Sequence, residues 1–134
     1  MKDQVTSIEQ SKRLIELGVP TERASMVWEM DEDCARLKIW NTDEETRRIL
    51  HNKYLDYYAP AFTVADLLAV LPKTIKDDNS VLFFLNIQYT RKGYSEIEYK
   101  SMYGILWSCF GAVLLNNLVE AVDGLVTNGY ELNL

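Results

Sequence analysis

The sequence predicts an α+β fold in which an antiparallel sheet, built from two hairpins, carries three or four helices packed mainly on one face. Two observations indicate this class. Helix signals with recognisable start and stop residues separate two segments that have the strand formers and turn residues of hairpins. Strands joined as hairpins pair antiparallel, and helices then collect on one face of their sheet. The length of 134 residues fits one domain, so we predict a single domain over 1–134.

The first helix is predicted over about 7–17. Thr6 or Ser7 can accept from the first amides of the helix, and a Glu or Gln follows three residues later, as in a capping box. Gly18 suits the left-handed residue after a helix, and Pro20 cannot continue one. Both ends of this helix are therefore marked in the sequence.

A hairpin is predicted next, from strands over 25–30 and 36–40. Basic and apolar residues alternate from Arg36 to Ile39, which is typical of a half-buried strand. The acidic run 31–33 supplies the turn between the two strands.

The following segment, 42–58, has two interpretations. Thr42 with Glu45 repeats the capping-box spacing and predicts a short helix, which we favour. The many polar residues, with an Ala59-Pro60 pair directly after them, leave an irregular segment as the alternative.

A helix over 63–71 has the clearest local signal. Thr63 is an N-cap residue, and Asp66 lies where it can bond back to the cap and complement the helix dipole. Phe62 and Leu67 have the spacing of a hydrophobic staple. A proline follows the helix and ends it.

The second hairpin joins 81–90 to 94–103 through a three-residue loop that ends in glycine. On one side of the hairpin, this loop length sets Leu85 opposite Tyr99, Ile87 opposite Ile97, and Tyr89 opposite Ser95. The other side pairs Asn86 with Glu98 and Gln88 with Glu96. A single register thus produces one apolar and one polar side, which supports the pairing.

The C-terminal part contains the least defined segment and a clear helix. Residues 104–115 are apolar and punctuated by glycine, and three assignments stay open: an extension of the strand, a buried loop, or the start of the last helix. From Asn116 or Asn117 onward, apolar residues follow helical spacing. Asn128-Gly129 ends that helix.

The charge balance bears on the class of partner. The chain has 14 basic and 20 acidic residues and a formal net charge of -6. An acidic protein repels phosphate backbones, so we expect no direct nucleic-acid binding. The N-terminus lacks an apolar signal region, and no apolar run approaches the roughly 20 residues of a membrane span. We therefore expect a soluble, cytoplasmic protein without membrane contact.

The candidate catalytic residues have simpler interpretations. His51 lies in a polar run and is interpreted as a solvated surface histidine. Cys34 directly follows three acidic residues, which disfavour a thiolate, and Cys109 is interpreted as a small buried hydrophobic residue. We predict no catalytic residue, and the sequence leans against an enzyme.

Metal and cofactor signals are weak as well. The runs 31–33 and 77–79 offer oxygen ligands, but both are interpreted as turns because they lack the spaced ligands of a calcium loop. Gly104 and Gly111 are too far apart for a phosphate-binding loop. We therefore predict no metal and no cofactor.

Aromatic residues supply the one candidate contact surface. Tyr54, Tyr57 and Tyr58 lie close together in the sequence. Tyrosine is favoured at binding surfaces because its ring is apolar and its hydroxyl polar. The alternative is that these rings lie at the edge of the core.

Two blocks carry a resemblance to a known group of proteins. The block 62–72 and the segment 117–121, with Asn-Gly-Tyr at 128–130, resemble small proteins from gut Bacteroidetes and their phages and mobile elements. The resemblance implies a genomic setting and transfers no catalytic residue.

These patterns favour a non-enzymatic accessory or protein-interaction protein of phage or mobile-element origin, acting by protein contact or self-association. One alternative is an acidic decoy of a nucleic-acid-binding protein, which requires the carboxylates at 29–33, 43–45 and 77–78 to form one stripe. Another is a small-molecule-binding domain, or an unrecognised enzyme, that uses a pocket above the sheet.

Overall fold

The computed structural model describes residues 4–31, 33–40, 43, 45–46, 57–90 and 92–134. These residues form two antiparallel sheets, of three and four strands, and three α-helices. The mixed α+β class is confirmed. The chain divides into two compact units, Met1–Leu67 with Leu134 and Leu68–Asn133. The single domain over 1–134 stays a prediction.

The first unit contains a three-stranded sheet with the order β2-β1-β3. Its elements are α1 (Ile8–Glu16), a 3₁₀ turn (Thr21–Arg23), β1 (Met26–Met30), β2 (Ala35–Ile39) and β3 (Tyr58–Ala61).

Helix α1 begins with the predicted capping box. The Gln10 amide donates to the Ser7 side chain at 3.1 Å, and the Ser7 amide donates to the Gln10 side chain at 2.9 Å. Gly18 follows the helix with a φ of 98°, the left-handed conformation that favours glycine. The helix buries Leu14 completely. The prediction of this helix is confirmed.

The first predicted hairpin is also confirmed. β1 pairs antiparallel with β2, so that Met26 lies opposite Ile39 and Trp28 opposite Leu37. At the turn, the Asp31 carboxylate accepts from the amides of Asp33 and Cys34 at 3.0 and 2.9 Å. These hydrogen bonds lower the pKa of Asp31 from its ordinary value.

Strand β3 was not predicted. It pairs with the other side of β1 and contains Pro60, which a strand tolerates at a sheet edge because its missing N–H then faces away from the ladder. The segment before it, 47–56, lies outside the described residues. Most of the short helix predicted over 42–58 therefore lies outside them too.

The predicted helix over 63–71 is α2 (Val64–Val70). The Asp66 amide donates to the Thr63 side chain at 3.1 Å, and the Thr63 amide donates to the Asp66 carboxylate at 2.9 Å. The same carboxylate accepts from the amide and the hydroxyl of Ser25. Phe62 and Leu67, the predicted staple residues, are fully buried.

The second unit contains a four-stranded sheet with the order β4-β5-β6-β7. Its elements are β4 (Thr74–Lys76), β5 (Leu82–Tyr89), β6 (Ser95–Ser101), β7 (Gly104–Gly111) and α3 (Leu114–Thr127).

The register of the second hairpin is the predicted one. Leu85 lies opposite Tyr99, Ile87 opposite Ile97, and Asn86 opposite Glu98. The two hairpins belong to different sheets, whereas the sequence predicts one sheet built from both. Each hairpin pairs with further strands: β3 in the first unit, and β4 and β7 in the second. These strands provide the hydrogen-bond partners that a two-stranded ribbon lacks.

The unassigned segment 104–115 is mostly a separate strand, β7, which turns back on β6 instead of extending it, and its last two residues begin the last helix. β7 pairs with β6 and places Trp107 opposite Tyr99 and Cys109 opposite Ile97. The pairing shifts between Tyr99 and Lys100, as at a β-bulge. Helix α3 then begins at Leu114, slightly before its predicted start.

Helix α3 packs against β6 and β7 and defines the covered face of this sheet. A Cβ on Gly124 would lie 2.6 Å from the Trp107 ring, so glycine lets the helix approach the strand. The buried residues of this unit include Ile75, Phe83, Ile97, Tyr99, Cys109, Leu115, Leu118, Ala121, Val122 and Leu125.

The buried amide of Asn117 fastens α3 to the strand ends. Its side-chain nitrogen donates towards the carbonyls of Ser95 and Gly111, at 3.2 and 3.1 Å, and towards the Ser95 hydroxyl. A Cβ on Gly111 would collide with this amide.

Candidate interaction surface

The structure describes two of the three predicted contact residues. Tyr57 is 59% exposed, and its carbonyl accepts from the Met30 amide. Tyr58 begins β3, lies opposite Glu29 and is half-buried. Tyr54 lies outside the described residues. Tyr57 and Tyr58 are neighbours in sequence, but only the first presents most of its surface to solvent.

The structure describes two of the three candidate catalytic residues, Cys34 and Cys109. His51 lies outside the described residues. Cys34 is exposed, whereas Cys109 is buried on the covered face, with its sulfur 3.4 Å from the Asn117 carbonyl oxygen. Burial raises the pKa of Cys109 to about 12, which keeps it protonated at neutral pH.

No group of three or more histidine, cysteine, aspartate or glutamate side chains is placed to hold a metal ion among the residues that the structure describes. The 77–79 run forms the predicted turn, in which the Asp77 carboxylate accepts from the amides of Asn79 and Val81 at 2.9 and 2.8 Å. In the same described part of the chain, no helix is long and apolar enough to cross a membrane.

The face of the four-stranded sheet opposite α3, the open face, presents three rows of side chains across β5, β6 and β7. Alternation along the strands assigns them, since Ile97, Tyr99 and Cys109 occupy the covered face, and Ile105, beyond the β-bulge, is placed by its pairing with Lys100. The rows are Phe84–Lys100–Ile105, Asn86–Glu98–Ser108 and Gln88–Glu96–Phe110.

The polar side chains of the open face bond to one another. The Asn86 amide donates to Glu98 at 3.0 Å, and the Lys100 ammonium lies 3.3 Å from the same carboxylate oxygen. Glu98 is only 3% exposed although it points to the open face. In the third row, Gln88 donates to Glu96 at 3.0 Å. The neighbouring strands therefore satisfy these groups without a ligand.

An apolar groove of about 690 Å³ lies at one end of the open face. It runs between the start of β5 and the turn that joins β6 to β7. Its apolar lining includes Val81, Leu82, Phe84, Leu85, Met102 and Tyr103. Phe84 is 54% exposed, Met102 89% and Tyr103 79%.

Local bonds hold both walls of the groove. On the β5 side, the Asp77 turn fixes the entry of the chain through its bond to the Val81 amide. On the other side, the Tyr103 amide donates to the Ser101 side chain at 3.0 Å, which closes the turn between β6 and β7. The exposed rings are therefore presented from ordered turns.

A second exposed aromatic group lies at the opposite end of the open face. Phe110, on β7, stacks on Tyr94 with ring centroids 5.1 Å apart. The Phe110 side chain remains 58% exposed.

The sequence analysis missed this surface. The run 81–85 places apolar residues on both sides of a strand, a pattern that requires cover on both faces or exposes one. That signal was available, but Met102 and Tyr103, which complete the apolar lining, were predicted as the end of a strand and not as part of a turn. The sequence pointed to Tyr54, Tyr57 and Tyr58 only because they lie close together along the chain.

No protein-family model, curated protein or solved structure matches the chain.

Proposed function

We propose that the chain is a non-enzymatic accessory protein that acts by protein contact, and that its contact surface is the apolar groove with the adjoining open face. The resemblance of its 62–72 and C-terminal blocks supports an origin in a phage or mobile element.

The main support for this proposal is the concentration of exposed apolar side chains around one groove. Phe84, Met102 and Tyr103 line it, and Ile105, 57% exposed, adjoins it in the row that contains Phe84. Single exposed apolar residues are common, whereas a contiguous group marks a contact surface. Full burial of one such side chain is worth about 1.5–3 kcal/mol, so covering several would support a specific complex.

The polar groups of the face favour a protein segment over a small molecule as the occupant. A small-molecule site combines an apolar lining with a few polar groups that converge on the ligand. Here two of the polar lining residues, Asn86 and Lys100, bond to Glu98, and the third, Ser101, accepts from the Tyr103 amide. The groove thus provides apolar surface but few free hydrogen-bonding groups, which suits an apolar side chain from another protein.

The acidic-decoy alternative gains no specific support. The carboxylates of Asp31 and Asp77 accept hydrogen bonds from their own turns, and Glu29 pairs with Lys38 at 3.0 Å. A phosphate mimic needs carboxylates that face outward at a regular spacing.

The test compares immobilised wild-type protein with F84S and Y103S. Both side chains are mostly exposed, so these variants should fold normally, which circular dichroism checks. The matched control is I39S, which removes an apolar side chain that is 75% exposed on β2. We expect the wild type and I39S to retain the same protein from a lysate, and to retain it at high salt. The groove variants should lose it. Equal retention by all four proteins, or by none, would overturn the proposal.

A further inference from the structure

Strand β7 is an edge of the four-stranded sheet, because β6 is its one strand neighbour among the described residues. It is eight residues long and contains neither a charged residue nor proline. Proteins commonly protect edge strands with charges, proline or short length, since the outer backbone groups can pair with another strand. β7 has none of these three protections.

The apolar side chains of β7 are arranged so that a second β7 complements them. Ile105 lies near the beginning of the strand and Phe110 near its end, and both lie on the open face. They are 57% and 58% exposed. Antiparallel pairing about a two-fold axis brings the Phe110 end of one copy to the Ile105 end of the other. Each copy then supplies one half of two equivalent apolar contacts, as an isologous interface requires.

The charges beside β7 follow the same symmetry. On β6, Glu96 lies opposite Phe110, and Lys100 lies opposite Ile105. Two antiparallel copies therefore place the Glu96 end of one sheet across from the Lys100 end of the other. At about 5 Å per strand spacing, these charges lie too far apart for strong attraction in salt. The two Glu98 carboxylates face each other across the axis at a similar separation, and each is paired with its own Lys100 at 3.3 Å.

We propose that β7 pairs with β7 of a second copy of this chain, joining two sheets into one continuous sheet. The pairing goes beyond the proposed function, because it uses the edge of β7 rather than the groove. The neutral strand favours a second copy because it lets two chains of net charge -6 meet without placing acidic side chains in contact.

Charge substitutions chosen from the neighbours on β6 test the pairing. In I105E the new carboxylate lies beside Lys100, and in F110K the new ammonium lies beside Glu96, so each suits its own chain. Each single variant removes the apolar contact from both halves of the interface. The double variant I105E/F110K instead sets opposite charges against each other across the two-fold axis.

Sedimentation velocity over about a hundredfold range of concentration measures the association. We expect the wild type to dimerise and each single variant to raise the dissociation constant about tenfold or more. The double variant should recover most of the loss. An equimolar mixture of the two single variants should form a mixed dimer more tightly than either variant alone. The control I39E, on β2, should leave the dimer unchanged, and circular dichroism checks folding throughout.

A monomeric wild type overturns the β7 pairing. So does a dimer that the single variants leave unchanged. The proposed function fails separately, when F84S and Y103S retain the same proteins as the wild type. A monomer that still captures a protein through the groove would thus contradict only the pairing.

Discussion

The edge strands β2 and β7 differ in how they are protected. β2 carries Arg36 and Lys38, which pair with Asp31 at 3.7 Å and Glu29 at 3.0 Å. β7 is longer and carries no charge. Exposed ion pairs stabilise a fold by at most about 1 kcal/mol, so the charges on β2 matter more for solvating its edge than for stability. The difference indicates that one edge is kept from pairing and the other is open to it.

The two strands also differ in their support. β2 has mostly exposed side chains, whereas β7 lies against α3 through Trp107 and Cys109. A strand held by a helix on one face keeps its shape when the other face and the edge are exposed.

The largest expected effect is on thiol reactivity. Cys34 lies exposed just before β2, and Cys109 is buried in β7. Burial raises the pKa of Cys109 from its ordinary 9.0 to about 12, so native Cys109 should alkylate at least about a hundredfold more slowly at pH 8 than in the urea-unfolded chain. Mass spectrometry after timed iodoacetamide treatment measures both cysteines. If Cys109 reacted as fast in the native protein as in the unfolded chain, α3 would not cover β7.

The same shift has a consequence for stability. The thiol of the unfolded chain ionises near pH 9, whereas the folded chain holds its proton until about pH 12. The unfolded state therefore binds fewer protons in this range, and the contribution of Cys109 to stability falls as pH rises from 9 to 12. In C109A, urea melts should show a smaller loss of stability over that range.

The next effect concerns the amide that anchors β7. N117A leaves the carbonyls of Ser95 and Gly111 without the Asn117 donor. We expect a loss of about 1–3 kcal/mol, since buried acceptors then lack a partner. Urea denaturation measures it, with E120A, at an exposed position of α3, as the control. Equal losses in the two variants would contradict the anchoring role.

A smaller effect is expected where α3 crosses β7. G124A would set a Cβ 2.6 Å from the Trp107 ring. Overpacking destabilises a core by about 1–3 kcal/mol, whereas alanine is more favourable than glycine in a helix by about 0.5–1 kcal/mol. We therefore expect the free energy of unfolding to fall by about 1 kcal/mol. In a double-mutant cycle, W107L should relieve the contact and make G124A less destabilising. Additive effects would show that the ring is not the obstacle.

Local patterns predicted much of this fold. The capping residues of α1 and α2 and the loop before Tyr94 act on near neighbours, so their signals fixed two helices and one register. Strand β3 and the division into two sheets depend on pairing between distant segments, which periodicity does not encode. The groove and its surroundings could not be predicted for the same reason, because Phe84 and Ile105 come into one row only through the registers of β5, β6 and β7.

The smallest effect on stability, and the sharpest test of the comparison, comes from removing the charges of β2. R36T/K38T gives β2 the neutral composition of β7 while keeping good strand formers. Since both ion pairs are exposed, the free energy of unfolding should change by less than about 1 kcal/mol. Self-association should nevertheless increase if charge protects that edge. The control R36K/K38R keeps both charges and should sediment as the wild type does. To isolate the β2 edge, the pair of substitutions is placed in I105E, where β7 pairing is weakened. If R36T/K38T leaves association unchanged in that background, charge is not what distinguishes the two edges, and the difference must lie in the length of β7 and its exposed Ile105 and Phe110.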